Sequence, residues 1–151
     1  MIVIQIPVKN HVKKYLIGRY GATQKITKKT FIGLILLQIL EKKVEKQETS
    51  SSTLSNYEVS VPEYYFNTKG YSVDADKLRF LGICLEKLFL DDFYLFVDHQ
   101  LLKGGSAYKS IQFFFSLYGL SENDLKVESM YRNYQRYAGE SIKAKKKVKQ
   151  L

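Results

Sequence analysis

The chain has 151 residues, 45 % hydrophobic and 26 % charged, which is enough to bury a core without disulfide or metal staples. Its single cysteine, Cys84, excludes an intramolecular disulfide, and no apolar stretch combines the length of about 20 residues with the low charge that a bilayer span requires. The formal charge of +9 is uneven: residues 1–30 carry seven bases and no acid, residues 121–151 carry eight bases and four acids, and the middle is nearly neutral. Two cationic ends point to a polyanionic partner, although they say nothing of fold.

The opening "MIVIQIPVKN" lacks the basic segment and long apolar run of a signal peptide. We therefore expect a cytoplasmic protein of the host cell, or a virion-associated one, with no membrane partner. Residues 2–6 alternate as a short strand does. From Pro7 the period changes, and Val8, Val12, Tyr15, Leu16 and Tyr20 recur at helical spacing up to a stop at Gly21. Lys9, Lys13, Lys14 and Arg19 then form a basic helix face, with His11 placed among them on the surface. A second helix is expected over about 28–47, apolar all round in its first half and charged in its second. The Ser-rich segment 48–56 reads as a flexible loop.

"YEVSVPEYYFNTKGYSV", residues 57–73, carries the clearest alternation. Pro62 interrupts it, and Asn67 and Gly70 supply a turn, so a hairpin is expected. Asp74 suits the cap of a long helix over 75–102, bent or broken near Asp91 and Asp92. Leu78, Leu81, Leu85, Leu88 and Phe89 would form its buried stripe, broadened by Phe80, Ile83 and Cys84. Gly104 and Gly105 end it, and a further helix runs from Ala107 to a stop at Gly119.

The segment "YGLSENDLKVESMYRNYQRY", residues 118–137, has two readings. In one, Gly119 occupies the turn of a helix-turn-helix and Ser121 with Asp124 caps the second helix. In the other, residues 121–125 form a short turn and the helix starts near Val127, leaving a helical hairpin. Phe115 and Glu128 depart from the helix-turn-helix pattern at two packing positions. In either reading Val127, Met130, Tyr131, Tyr134, Tyr137 and Ala138 form the packed stripe. Glu128, Arg132, Asn133, Gln135 and Arg136 form the opposite face, where Arg suits guanine or phosphate and Asn or Gln suits adenine. The tail 143–151, with Lys143, Lys145, Lys146, Lys147 and Lys149, reads as a disordered phosphate-binding end.

"IPVKNHVKKYLIGRYG" and "YGLSENDLKVESMYRNYQRY" resemble segments of small uncharacterised proteins encoded by phages and mobile elements of Bacteroidetes-type bacteria. The resemblance covers about a quarter of the chain. It implies an accessory protein that handles nucleic acid, and it supplies neither a reaction nor site residues.

Catalytic constellations are missing. Two isolated histidines and one cysteine give no zinc pattern, and Asp91, Asp92, Asp98 and Glu86 punctuate an apolar helix as its exposed edge rather than as a magnesium site. The sequence thus predicts an α+β, predominantly helical single domain over 1–142, with a small antiparallel sheet or hairpin and a basic tail. It predicts no enzyme, metal or cofactor. The expected function is non-enzymatic binding of nucleic acid, DNA more than RNA, through Lys9, Lys13, Lys14, Arg19, Arg132, Asn133, Gln135, Arg136, Lys145, Lys146 and Lys147. The alternatives are a structural or assembly protein of a phage or mobile element, using its Tyr- and Phe-rich surface as a homo-oligomer or with a phage partner, and a small regulator of a host protein.

Overall fold

A computed structural model describes residues 1–42, 54–70 and 72–149. The fold is α+β and mostly helical, in two compact units, Met1–Phe89 and Leu90–Leu151.

The first unit is built on a three-stranded sheet of order β1-β3-β2, from β1 (Ile2–Val8), β2 (Thr23–Lys25) and β3 (Ser55–Val61). β1 pairs antiparallel with β3, from Ile2 opposite Val61 to Val8 opposite Ser55, while β2 runs parallel to β3. The sheet is therefore mixed rather than purely antiparallel. Alternation sends Ile4, Ile6, Val8, Tyr57, Val59 and Val61 into the core and leaves Gln5 and Glu58 on the other face. β2 has only three residues, too few for an alternation to stand out in the sequence.

Pro7 lies inside β1 and does not open a helix. β1 is an edge strand, where alternate N–H groups point away from the sheet and a proline is tolerated. Helix α1 (Asn10–Tyr20) follows and stops at Gly21, whose φ of 94° suits glycine. It buries His11, Val12, Tyr15 and Leu16. His11 is thus a core residue, its ring 5.0 Å from that of Phe89, and not a surface group among lysines.

Helix α2 covers only Phe31–Ile39, where a helix over 28–47 was expected. Thr30 caps it by accepting from the Gly33 N–H, and Leu40 turns extended, so that Glu41 can pair with Ser72 through two backbone bonds. Its apolar face is one-sided, because Phe31 and Leu34 remain exposed. Residues 43–47 of the expected helix and 48–53 of the expected loop lie outside the described residues, while Ser55 and Asn56 belong to β3.

The expected hairpin at 57–73 does not form, because Pro62 ends β3 and caps helix α3 (Glu63–Lys69). Glu63 in the first turn and Lys69 in the last complement the helix dipole, and Gly70 at φ 117° terminates it. Asn67 to Gly70 close a helix where the sequence pattern suggested a turn between strands.

Helix α4 (Ala75–Leu102) runs without a break past Asp91 and Asp92, and a bond from the Lys77 N–H to Asp74 Oδ2 caps its start. Within the first unit it buries Leu81, Leu85 and Phe89, while Phe80 and Ile83 face solvent and narrow the expected stripe. Gly82 lets the helix approach β1 so closely that a Cβ there would lie 2.1 Å from the Pro7 carbonyl oxygen.

In the second unit α4 buries Phe93 and Val97, and its rings meet both other helices, Phe93 against Phe114 of α5 (Ala107–Tyr118) and Tyr94 against Tyr137 of α6 (Val127–Lys149). Ser106 caps α5, and Gly119 in the left-handed region (φ 64°) ends it. There the Leu120 N–H donates to the Phe115 carbonyl and the Leu120 side chain is buried. Phe114 lies at the centre of an aromatic cluster, edge-on to Phe93 at 5.3 Å and 4.9 Å from Tyr118.

Candidate functional site

The expected cationic residues fall on two helices, one in each unit, and the two differ in how their charges are held.

On α1, Lys9 is the residue before the helix, and its Nζ lies 2.8 Å from Glu86 Oε1. Arg19 donates from Nη1 to the Tyr15 hydroxyl at 2.6 Å, and its guanidinium sits 5.2 Å from the Tyr20 ring. Lys13 and Lys14 are half-buried. At 3.6 residues per turn, Arg19 is displaced by about 120° from Lys13, so these side chains fan out rather than share a face. Lys13 borders an open groove of about 700 Å³ with Gln5, Ile17, Thr23, Asn56 and Glu58. There Glu58, on the central strand, accepts from Gln5 Nε2 on one side (3.1 Å) and Thr23 Oγ1 on the other (3.0 Å). Strand register alone aligns these three, and no sequence spacing announced it.

α6 is different. Of the two readings of 118–137, the helix begins at Val127, and residues 119–126 separate it from α5, whereas a DNA-reading helix-turn-helix has a turn of about three or four residues. Asp124 Oδ2 accepts from the Ser121 N–H and hydroxyl, so this pair closes the turn instead of capping the helix.

The helix also does not end at 142. Lys143, Lys145, Lys146 and Lys147, expected in a disordered tail, belong to α6, which continues to Lys149. Ala and Lys favour helix, the packed N-terminal half provides the nucleus, and cations near a helix C-terminus are stabilised by its dipole.

The register of α6 follows from its buried side. Val127, Met130 and Tyr134 enter the core, and Tyr131 packs edge-on against Tyr108. Asp98 of α4 accepts from the hydroxyls of both Tyr134 (2.6 Å) and Tyr137 (3.0 Å). Tyr137 also stacks flat on Tyr94, with centroids 4.2 Å apart. Burial and then the hydrogen bond to Asp98 raise the pKa of both Tyr134 and Tyr137, so the phenols stay protonated and remain donors. Asp98 is therefore half-buried and doubly bonded, not part of the exposed edge that the charge pattern of the helix suggests. The signal that would have placed it was a tyrosine pair three residues apart facing an apolar helix.

With that side fixed, Arg132, Arg136, Lys143, Lys146 and Lys147 fall within an arc of about 100° on the opposite side, at 3.6 residues per turn. All five are exposed, and none is in an ion pair among the described residues. From Arg132 to Lys147 the row is about 22 Å long at 1.5 Å per residue. Glu140 stands at its margin and Glu128 one turn before it. Gln135 flanks the row and is exposed, while Lys145 points to the other side. Asn133 departs from expectation: it is half-buried, and its amide contacts Met130 Sδ at 3.8 Å.

Among the described residues no group of three His, Cys, Asp or Glu side chains could hold a metal ion, and no helix is long and apolar enough to cross a membrane. Glu86 is engaged by Lys9 and Asp98 by two tyrosines. Compared with known proteins, the chain matches no protein family, no curated protein and no solved structure.

Proposed function

We propose that the protein is a non-enzymatic nucleic-acid-binding accessory protein that grips phosphates through the cationic side of α6. The observation that carries this reading is the row of five exposed cations, Arg132, Arg136, Lys143, Lys146 and Lys147, on the side away from the core and in no ion pair among the described residues. Repulsion within such a row costs stability, and a polyanion relieves it by releasing its counterions as it binds. The two ends of the row differ in type: arginine can fork two bonds to one phosphate, whereas lysine acts as a point charge. α1 is a weaker candidate, because Lys9 is already paired and Arg19 is held by tyrosines.

Titrating labelled nucleic acid at 50 and 200 mM salt tests the proposal. Five phosphate contacts predict a slope of log K against log salt of about −4.5, a loss of about 500-fold between those concentrations. Arg132→Ala/Arg136→Ala should weaken binding and flatten that slope. Wild-type protein without salt-sensitive binding would end the reading.

One observation favours the second reading, assembly through protein contacts. Phe113 and Leu117 lie one turn apart on α5, each about half exposed (51 % and 53 %), as is Leu95 on α4. Light scattering across a range of concentrations would show the defined oligomer that this reading needs.

A further inference from the structure

We infer that the ligand of α6 is a B-form DNA duplex, entered by the helix's last two turns in the major groove and held without regard to sequence. This rests on the nucleic-acid reading above and narrows it.

Three features of the helix lead there. The first is its freedom: every residue from Ile142 to Val148 is exposed, so among the described residues nothing packs over this end of α6. A bare helix is about 10–12 Å across with its side chains, and the B-form major groove is about 12 Å wide. The deep, narrow major groove of an A-form RNA duplex does not admit it. The second is the chemistry of that end. Lys143, Lys146 and Lys147 face one side and Lys145 the other, so cations reach toward both walls of a groove while Arg132 and Arg136 continue the row to its rim. Residues 142–149 contain no Asn or Gln to fork onto adenine and no Arg with its rigid planar fork, and their lysines are flexible point charges that take a phosphate as readily as a guanine edge. Asn133, the residue best suited to adenine, is turned toward Met130. The third is the state of the aromatic rings. Single strands are held by exposed rings on which bases stack. On α6 every ring is already engaged: Tyr131 by Tyr108, Tyr134 by Asp98, and Tyr137 by both Asp98 and Tyr94.

The test is a fluorescence-anisotropy titration of the full chain with four probes of equal length: a mixed-sequence DNA duplex, a scrambled duplex, the single-stranded DNA and the matching RNA duplex. The two DNA duplexes should bind within about 3-fold of each other, and at least about 10-fold more tightly than single strand or RNA duplex at the same salt, the margin expected when sequence-independent phosphate contacts depend on groove shape. A small molecule seated in the major groove should displace the protein, and one seated in the minor groove should not. Lys143→Gln/Lys146→Gln/Lys147→Gln should lower the duplex salt slope by about 2.7 with circular dichroism unchanged, since each lost phosphate contact removes about 0.9. Single strand or RNA duplex binding as well as DNA duplex, or displacement by the minor-groove molecule alone, overturns the inference while leaving nucleic-acid binding intact. Failure of all four probes to bind overturns both.

Discussion

Replacing Gly82 by alanine sets two effects of opposite sign against each other. In a helix interior the change gains about 0.8–1 kcal/mol of helix propensity. Here the new Cβ would stand 2.1 Å from the Pro7 carbonyl oxygen, where ordinary contact begins at 3.4 Å, so α4 and β1 must part by about 1.3 Å. The obstructing atom belongs to the backbone of a paired strand and cannot rotate away. Overpacking of this kind costs about 1–3 kcal/mol, and the parting also loosens Leu81 and Leu85, both fully buried on the same helix. The clash should win, leaving a net loss of up to about 2 kcal/mol. Gly139 provides the control. It lies within α6 with nothing within 4 Å of its would-be Cβ, so the same substitution there should raise stability by about 0.5–1 kcal/mol. Urea unfolding followed by circular dichroism measures both variants, and if the two units unfold separately each variant should move only its own transition. A Gly82→Ala protein as stable as Gly139→Ala would refute the close approach of α4 to β1.

Asp98→Ala should cost about 2–3 kcal/mol in thermal or urea unfolding, because Tyr134 and Tyr137 lose a charged acceptor. Asp98→Asn, which keeps an accepting oxygen, should cost less, and equal costs would rule out the double hydrogen bond. Thr30→Ala and Ser106→Ala should each lose about 1 kcal/mol in the same assay, since each hydroxyl accepts an N–H at the start of its helix. Burial, with a smaller contribution from Tyr20, raises the Tyr57 pKa to about 12. The folded state therefore holds this proton more tightly than the unfolded chain, whose tyrosines titrate near 10. Stability from this residue should be complete below pH 10 and fall as pH rises through 12, and Tyr57→Phe should shallow that fall. An unfolding midpoint that does not move between pH 9 and 12 would contradict it.

Much of the helical framework was legible because it is written in local chemistry. Asp74, Gly21 and Gly119 mark helix ends by groups that satisfy or release backbone bonds within four residues, and the helices start or stop where these residues place them. What failed was wherever a distant partner decides. Pro7 signals a helix start until β3 makes β1 an edge strand. "NTKG" signals a hairpin until Pro62 ends β3 and starts a helix, and Glu41 leaves its helical pattern to pair with Ser72. The candidate site divided in the same way. Arg132, Gln135 and Arg136 were placed on the exposed side by helical spacing alone, but Asn133 was lost to a sulfur contact, and joining the lysine tail to the same row required the helix to continue past Ser141.

Binding and stability should separate on α6, because its two sides do different work. The side that fixes register ends at the tyrosines bound to Asp98, and the cationic side touches nothing in the core. Charge removal at Lys143, Lys146 and Lys147 should therefore leave the unfolding transition in place, or raise it slightly by relieving repulsion. Loss of Asp98 should lower stability and weaken binding only as far as it lets α6 rotate. Combined in one chain, the two sets of changes should add in stability to within about 0.5 kcal/mol, as independent sites do. Strong coupling between them would mean that the lysines hold the fold, and the reason for assigning them to a ligand would disappear.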